Sequence, residues 1–380
     1  MKPQVSVIIP SFNRRLMLIE AIGSVLSQRE VRFELIVVDD GSTDATSAAV
    51  GVVLARGLAA RGTGRQPAGG GGLCSARLEK MPHYGVGAAR NRGAVVARAE
   101  FLAFLDSDDL WAPSKLSRQL DFMRSSARYL LTQTEELWMR KGRRVNPGRR
   151  HRKRAGDIFV DSLRTCLISP SAVMIRRELF FAFGGFDRRL SACEDYDLWL
   201  RILSRHEVGL LDQTLVTRRA GHAGQLSATV PAPDRFRIIT LLKLLADARL
   251  GRQRHEVVAE VLAQKCRILA AGLARRGKVW PAEIYARAGA LAEKNWRFGD
   301  LGELSRLARA LADCGLAADN FSDCPDRAPA ARRCGDTPTL KAPQPSASDV
   351  ARDEPACGFS TGGRDYPIGT PRHASVQARV

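Results

Sequence analysis

Aromatic side chains are scarce, at 6% of 380 residues, and the most basic stretch, "KGRRVNPGRRHRKR" (141–154), holds eight Lys or Arg and no Phe, Tyr or Trp. Surfaces that bind single-stranded nucleic acid interleave cations with stacking aromatics, so this composition argues against that function. Closely spaced cysteine pairs are also missing. The eight cysteines (74, 166, 193, 266, 314, 324, 334, 357) are scattered, which speaks against a disulfide framework or a zinc ribbon. Cys314, Cys324 and Cys334 recur at equal intervals but lack the close pairs of a zinc site. No stretch reaches the roughly 20 apolar residues of a membrane span. The start, "MKPQVSVIIPSFNRR", has too short an apolar run for a signal peptide. These absences lead us to expect a cytoplasmic chain with reduced thiols. Acid is outnumbered, 40 Asp and Glu against 59 Lys and Arg, and the net charge of +19 calls for anionic partners. Charge alone does not choose among nucleotides, phosphates, nucleic acid and acidic lipid surfaces.

What is present is regular. "VSVIIP" (5–10) and "FELIVVDD" (33–40) are buried-strand runs, each followed by a stretch with apolar residues at helical spacing. "GVGAARNRGAVVARA" (85–99) reads as a helix with a glycine-rich entry, and "FLAFL" (101–105) as the strand that leads into Asp106, Asp108 and Asp109. Continuous apolar strands separated by helices predict an α/β fold with a mostly parallel sheet covered on both faces. In such sheets ligands bind beyond the carboxyl ends of the strands. Asp39 and Asp40 end one strand and the 106–109 cluster ends another, so two acidic groups are expected on one rim. A hard divalent cation, brought in with an anionic ligand, would relieve their repulsion.

In that order, "VSVIIPSFNR", "ELIVVDDGSTD", "GVGAARNRG", "FLAFLDSDDLW" and "EDYDLWLRI" resemble the inverting glycosyltransferases of family 2, which have a GT-A fold. The match covers about residues 3–225. Each piece alone is weak, and five in order are specific. The resemblance implies transfer of a sugar from a nucleoside-diphosphate donor, UDP-linked by expectation, to a hydroxyl of a glycan or lipid-linked acceptor. It implies Mn²⁺ or Mg²⁺ held chiefly by Asp108, with Asp106 on ribose or metal, Asp109 in support, and His222 near the diphosphate or metal. Asp39 resembles the family aspartate that accepts a hydrogen bond from the base, with Asp40 in support. Pro10 and Asn13 resemble residues lining the nucleotide pocket, and Arg90 the arginine that faces base and phosphates. Asp195 takes the place of the catalytic base, with Glu194 beside it orienting the loop or meeting acceptor. Gly184, Gly185 and Phe186 fall in the loop ahead of the base, and Ser169 or Ser171 is a candidate for acceptor contact.

Blander readings account for parts of this pattern. An aspartate before "LWAPSKL" could cap a helix, but one cap needs one carboxylate and three are present. Acid at the start of the "EDYDLWLRI" helix suits the helix dipole. Gly85-x-Gly87 invites a dinucleotide-binding reading, which fails because Arg90 stands where the third glycine belongs. A nucleotidyltransferase would need a Gly-rich basic loop after the first strand, and "PSFNRR" supplies none. A glycosidase would not need diphosphate-binding features. A non-catalytic sugar-nucleotide-binding protein would not need Asp195, and a protein binding nucleic acid or another anionic surface through its basic patches is the remaining alternative.

We expect three parts: a GT-A domain over 1–230, a helical C-terminal extension over 231–320 that is rich in Ala, Leu and Arg, and a disordered tail over 321–380. The Gly-rich segment 61–75 reads as an insertion ahead of a poorly marked strand. The basic run 141–154 and the basic helices could dock peripherally on an anionic membrane face.

Overall fold

The computed structural model describes residues 2–62, 71–222, 224–225 and 229–295. The tail, the three evenly spaced cysteines and the middle of the Gly-rich segment lie outside the described residues.

The chain opens with β1 (Val5–Ser11), α1 (Arg15–Leu26), β2 (Arg32–Asp39), α2 (Thr46–Gly62), β3 (Gly72–Lys80), α3 (Val86–Val96) and β4 (Phe101–Phe104). These four strands lie side by side in the order β3-β2-β1-β4, all parallel. The remaining elements are β5 (Leu110–Trp111), α4 (Lys115–Ser125), β6 (Leu131–Arg140), β7 (Arg143–Val145), α5 (Phe159–Arg164), β8 (Val173–Arg176), α6 (Arg177–Ala182), α7 (Glu194–Leu203) and β9 (Gly209–Ala220). They continue the sheet as β4-β8-β6-β9-β5, with β7 paired to β6. Here the pairing is mixed: β8 runs antiparallel to β4 and β6, whereas β6 and β9 are parallel.

The two faces of the sheet are buried by different helices. Along β1, Ile8 belongs to one apolar cluster, with Phe104, Phe186 and Trp199, and its neighbours Val7 and Ile9 belong to another, with Leu18, Ile22 and Leu116. This period-2 split of an all-apolar strand is what a doubly covered sheet requires. On the first face α3 lies very close to the strands. A Cβ placed on Gly93 would come within 2.4 Å of Ile8 Cγ2, so only glycine fits there.

β3 was weakly marked in the sequence because it is the sheet edge. "GLCSARLEK" is mostly half-buried and starts inside the segment read as an insertion. Three further helices, α8 (Asp234–Leu245), α9 (Arg252–Ala274) and α10 (Val279–Asn295), carry the Ala-, Leu- and Arg-rich segment. Their buried residues Phe236, Leu241, Leu262 and Tyr285 belong to the same cluster as Phe104 and Trp199.

Candidate active site

The carboxyl ends of β1, β2 and β4 form one rim. Ser11 pairs with Asp39, and the Leu105 amide donates to the Ile8 carbonyl just past β4. Pro10 sits beyond the last β4 pairing, Ile8 with Phe104, where its missing N–H costs no ladder bond. Asn13, in the left-handed region at φ 50°, ties two loops together. Its amide donates to Ser42 Oγ at 2.9 Å, and its Oδ1 accepts from the Thr43 amide at 2.8 Å. Asp39 is buried and accepts from the Ser42 amide at 2.9 Å and from Ser47 Oγ. Asp40 is buried too, and both of its oxygens are committed. They accept from the Tyr84 and Gly85 amides, each at 2.9 Å, and His83 Nδ1 lies 2.9 Å from Oδ2. Asp40 therefore fixes the entry to α3. The exposed Phe12 ring stacks on His83 at 4.0 Å, beside Asp39 and Asp40.

The acidic cluster follows β4. One ligand oxygen from each of Asp106, Asp108 and Asp109 lies within 4.8 Å of the others, close enough to share one cation. An all-carboxylate set suits a hard ion such as Mg²⁺ or Mn²⁺. The three carboxylates differ in their partners. Asp109 is buried, with Oδ2 accepting from Ser171 Oγ at 2.6 Å and Oδ1 from the Arg219 amide at 2.9 Å. Burial, then the charges of Asp108 and Asp106, push its carboxyl well above the ordinary range. Asp108 is raised by burial and by Asp106, while His222 and Arg14 pull it back down. His222 Nε2 lies 2.8 Å from Asp108 Oδ2, and Arg14 reaches His222 Nδ1 at 2.9 Å. Ser171 also accepts from the Asp106 amide at 3.1 Å, so it braces the acid cluster from both sides.

Arg90 joins this cluster to the start of α7. It is 3% exposed, with one terminal nitrogen 2.6 Å from Asp106 Oδ1 and the other 2.5 Å from Glu194 Oε1. Its guanidinium carbon lies 5.2 Å from the centre of the Phe186 ring. Asn91 holds the loop before α7 by donating to the Phe186 carbonyl at 2.8 Å and accepting from the Phe186 amide at 2.9 Å. Cys193, just before the helix, takes the left-handed conformation at φ 59°. That conformation is rare for a residue with a side chain, and it turns the chain sharply into α7.

Glu194 and Asp195 then diverge. Glu194 is buried, and burial pushes its carboxyl up to about 7, with Arg90 opposing and Asp195 adding. Asp195 is half-buried. Its Oδ1 accepts from the Tyr196 amide at 2.7 Å, and Cys166 Sγ lies 3.8 Å from Oδ2.

Pro10, Asn13, Asp39, Asp40, Arg90 and Asp106, Asp108 and Asp109 gather at this rim, Glu194 and Asp195 stand at the α7 entry, and His222 joins them through Asp108. Sequence reasoning missed Arg14, Arg219 and His83. The Arg219 Nε donates to the Asp108 carbonyl and its amide to Asp109. "RRAGH" puts two arginines just ahead of His222, but which of them meets the cluster depends on the register of β9.

The family profile described as Glycosyl transferase family 2 matches residues 6–181. An uncharacterized glycosyltransferase of Rickettsia typhi is 30% identical over 232 residues, 60% of this chain and 67% of that protein. The chain belongs to glycosyl transferase family 2. A second family relative, an uncharacterized glycosyltransferase of Rickettsia felis, is 31% identical over 218 residues, 56% of this chain. The chain spans about a third of that relative's length, 32%. The Escherichia coli protein named UDP-Glc:alpha-D-GlcNAc-diphosphoundecaprenol beta-1,3-glucosyltransferase WfaP is 28% identical over 59% of this chain and 80% of its own. Among solved structures, Staphylococcus aureus TarS 1-349 in complex with UDP-GlcNAc matches 81% of this chain and 91% of its own, with a TM-score of 0.56 at 19% identity. A mannosyltransferase from Pyrobaculum calidifontis in complex with GDP-Man and Mn²⁺ matches 83% of this chain and 88% of its own, with a TM-score of 0.50 at 18% identity. These likenesses establish the fold, which is the GT-A type of family 2.

Proposed function

We propose that this protein is a metal-assisted inverting glycosyltransferase that moves a sugar from a nucleoside diphosphate to an acceptor hydroxyl. The observation that carries the reading is the Asp106–Arg90–Glu194 bridge. It ties the acidic cluster beyond β4 to the start of α7, where the half-buried Asp195 follows Glu194. Two carboxylate sites with different jobs held by one guanidinium suit a displacement between a donor and an acceptor.

In this reading Asp39 receives the base, and Pro10 and Asn13 shape the nucleotide pocket. Asp108 and Asp106 would hold a divalent cation, with Asp109 behind them and His222 on Asp108. Bound there, the cation would neutralise charge on the departing diphosphate. Arg90, permanently charged, steadies the phosphate side. Asp195 removes the proton from the acceptor hydroxyl as that oxygen attacks the anomeric carbon from the face opposite the diphosphate, which inverts the centre. Glu194 is too buried for that task and serves as the anchor of Arg90.

A UDP-linked donor is favoured by the UDP-Glc in the name of the E. coli relative and by the UDP-GlcNAc in the TarS complex, and a GDP-linked one by the archaeal structure. The test is calorimetric titration with UDP, GDP, TDP and CDP, with and without Mn²⁺. We expect one diphosphate to bind with strong Mn²⁺ dependence, and Asp108→Ala to abolish that dependence. Asp195→Asn should keep donor affinity while transfer falls by about 10² or more. A fully active Asp195→Asn protein would sink the base assignment, and no binding of any diphosphate would sink the donor reading.

A further inference from the structure

Beside the acidic cluster, the strands β6 and β9 carry a group of residues that the mechanism above does not use. Trp138 pairs directly with Arg218 in the parallel register of these strands, and the Arg218 guanidinium lies 4.9 Å from the centre of the indole. Among the described residues no hydrogen bond or ion pair holds the Arg218 guanidinium, so its side-chain donors are not spent on the fold. Yet the acids of the site reach it. Against burial, the charges of Glu136, Asp109, Asp106 and Asp195 raise its guanidinium above the ordinary value. Its neighbour in β9, Arg219, bonds Asp108 and Asp109, which puts Arg218 next to the acidic cluster on the same strand.

Other cations converge on the same place from separate elements. His151 packs 5.2 Å from Trp138, with Arg150 Nε 3.1 Å from its Nε2. Burial, then the positive charges of Arg150, Arg218 and Arg237, hold His151 below its ordinary range. Glu136, the acid on this wall, is already answered. Lys153 Nζ lies 3.2 Å from its Oε1, Trp138 Nε1 donates to its Oε2 at 2.9 Å, and Ser169 Oγ donates to it as well. What remains on this wall is a guanidinium lying over an indole, beside an imidazole that Arg150 and Arg237 also reach. A guanidinium fork with uncommitted donors is the group best matched to a carboxylate or phosphate.

We propose that the β6–β9 wall, centred on Arg218 over Trp138, binds an oxyanion of the acceptor, so that this protein selects acceptors bearing a phosphate or carboxylate near the accepting hydroxyl. The inference rests on the glycosyltransferase reading. It assigns the basic run 141–154, through Arg150 and Lys153, to the acceptor side of the site.

The test uses the full chain saturated with Mn²⁺ and whichever diphosphate binds, so that the donor site is filled. Glucose, glucose 6-phosphate and glucuronate are then titrated by ligand-observed NMR. We expect both anions to bind at least about tenfold more tightly than glucose, a preference of at least about 1.4 kcal/mol. The two anionic arms tell phosphate from carboxylate selection. Arg218→Gln should bring the ratio of anionic to neutral binding close to one, and the exposed Arg150→Gln, which does not threaten folding, should lower it partway. Equal binding of the three sugars by the wild type overturns the proposal, as does an unchanged ratio in both variants. Loss of diphosphate affinity in Arg218→Gln with no anion preference in the wild type would assign Arg218 to the donor instead. Failure of the wild type to bind any diphosphate removes the glycosyltransferase reading itself, and this inference with it.

Discussion

Glu194 and Asp195 are adjacent in sequence and opposite in surroundings. Glu194 is buried against Arg90, whose other terminal nitrogen holds Asp106, while Asp195 is half-buried. Their roles should separate in stability before they separate in activity. Glu194→Ala leaves a buried guanidinium with one partner in place of two and should cost about 3 kcal/mol or more, read as a lowered urea midpoint. Asp195→Asn keeps shape and exposure and should change stability by less than about 1 kcal/mol. Equal losses in the two variants would mean that the carboxylates share one structural job. The presence of two carboxylates here was legible from "EDYDLW". Which one is buried was not, because the left-handed turn at Cys193 and the Arg90 anchor come from the packing of the preceding loop.

At the scale of elements, the loop before α7 is tied to α8 by charge. Lys243 Nζ lies 3.0 Å from Asp187 Oδ2 and also bonds Asp197 inside α7. Although burial opposes it, the Arg189 and Lys243 cations hold the Asp187 carboxyl well below the usual carboxylate range. A depressed carboxyl contributes stability that is present above its unfolded value, about 3.9, and is lost as pH falls through the lower folded value. The stability difference between wild type and Asp187→Asn should therefore be flat from pH 7 down to about 5 and shrink towards pH 2. Urea unfolding across that range checks it, and a difference that grows on acidification would refute the linkage. The elements themselves were largely readable, since buried strands such as β1, β2 and β4 announce themselves by continuous apolar runs. β3 did not, because an edge strand has no need to be apolar along its length.

For the whole molecule, α8–α10 and the sheet share one apolar core, with Phe236 and Leu241 in the same cluster as Trp199 and Phe104. A chain ending at residue 233 would expose the residues of α5 and α7 that these helices cover. Such a truncation should lose cooperative thermal unfolding and bind a hydrophobic dye, and a truncated chain with an unchanged melting temperature would show the helices to be dispensable. Among the described residues no helix is long and apolar enough to cross a membrane.

The sequence by itself determined the alternation of strands and helices, the acids at strand ends and the family those motifs belong to, because these depend on local period and on short spacings along one element. Only the tertiary structure decided that Arg90 bonds Glu194 across 104 positions of chain while holding Asp106, that Asp40 serves the α3 entry, and that Arg218 lies over Trp138. Those relations depend on strand register and on burial, which arise when distant segments pack and have no period of their own to read.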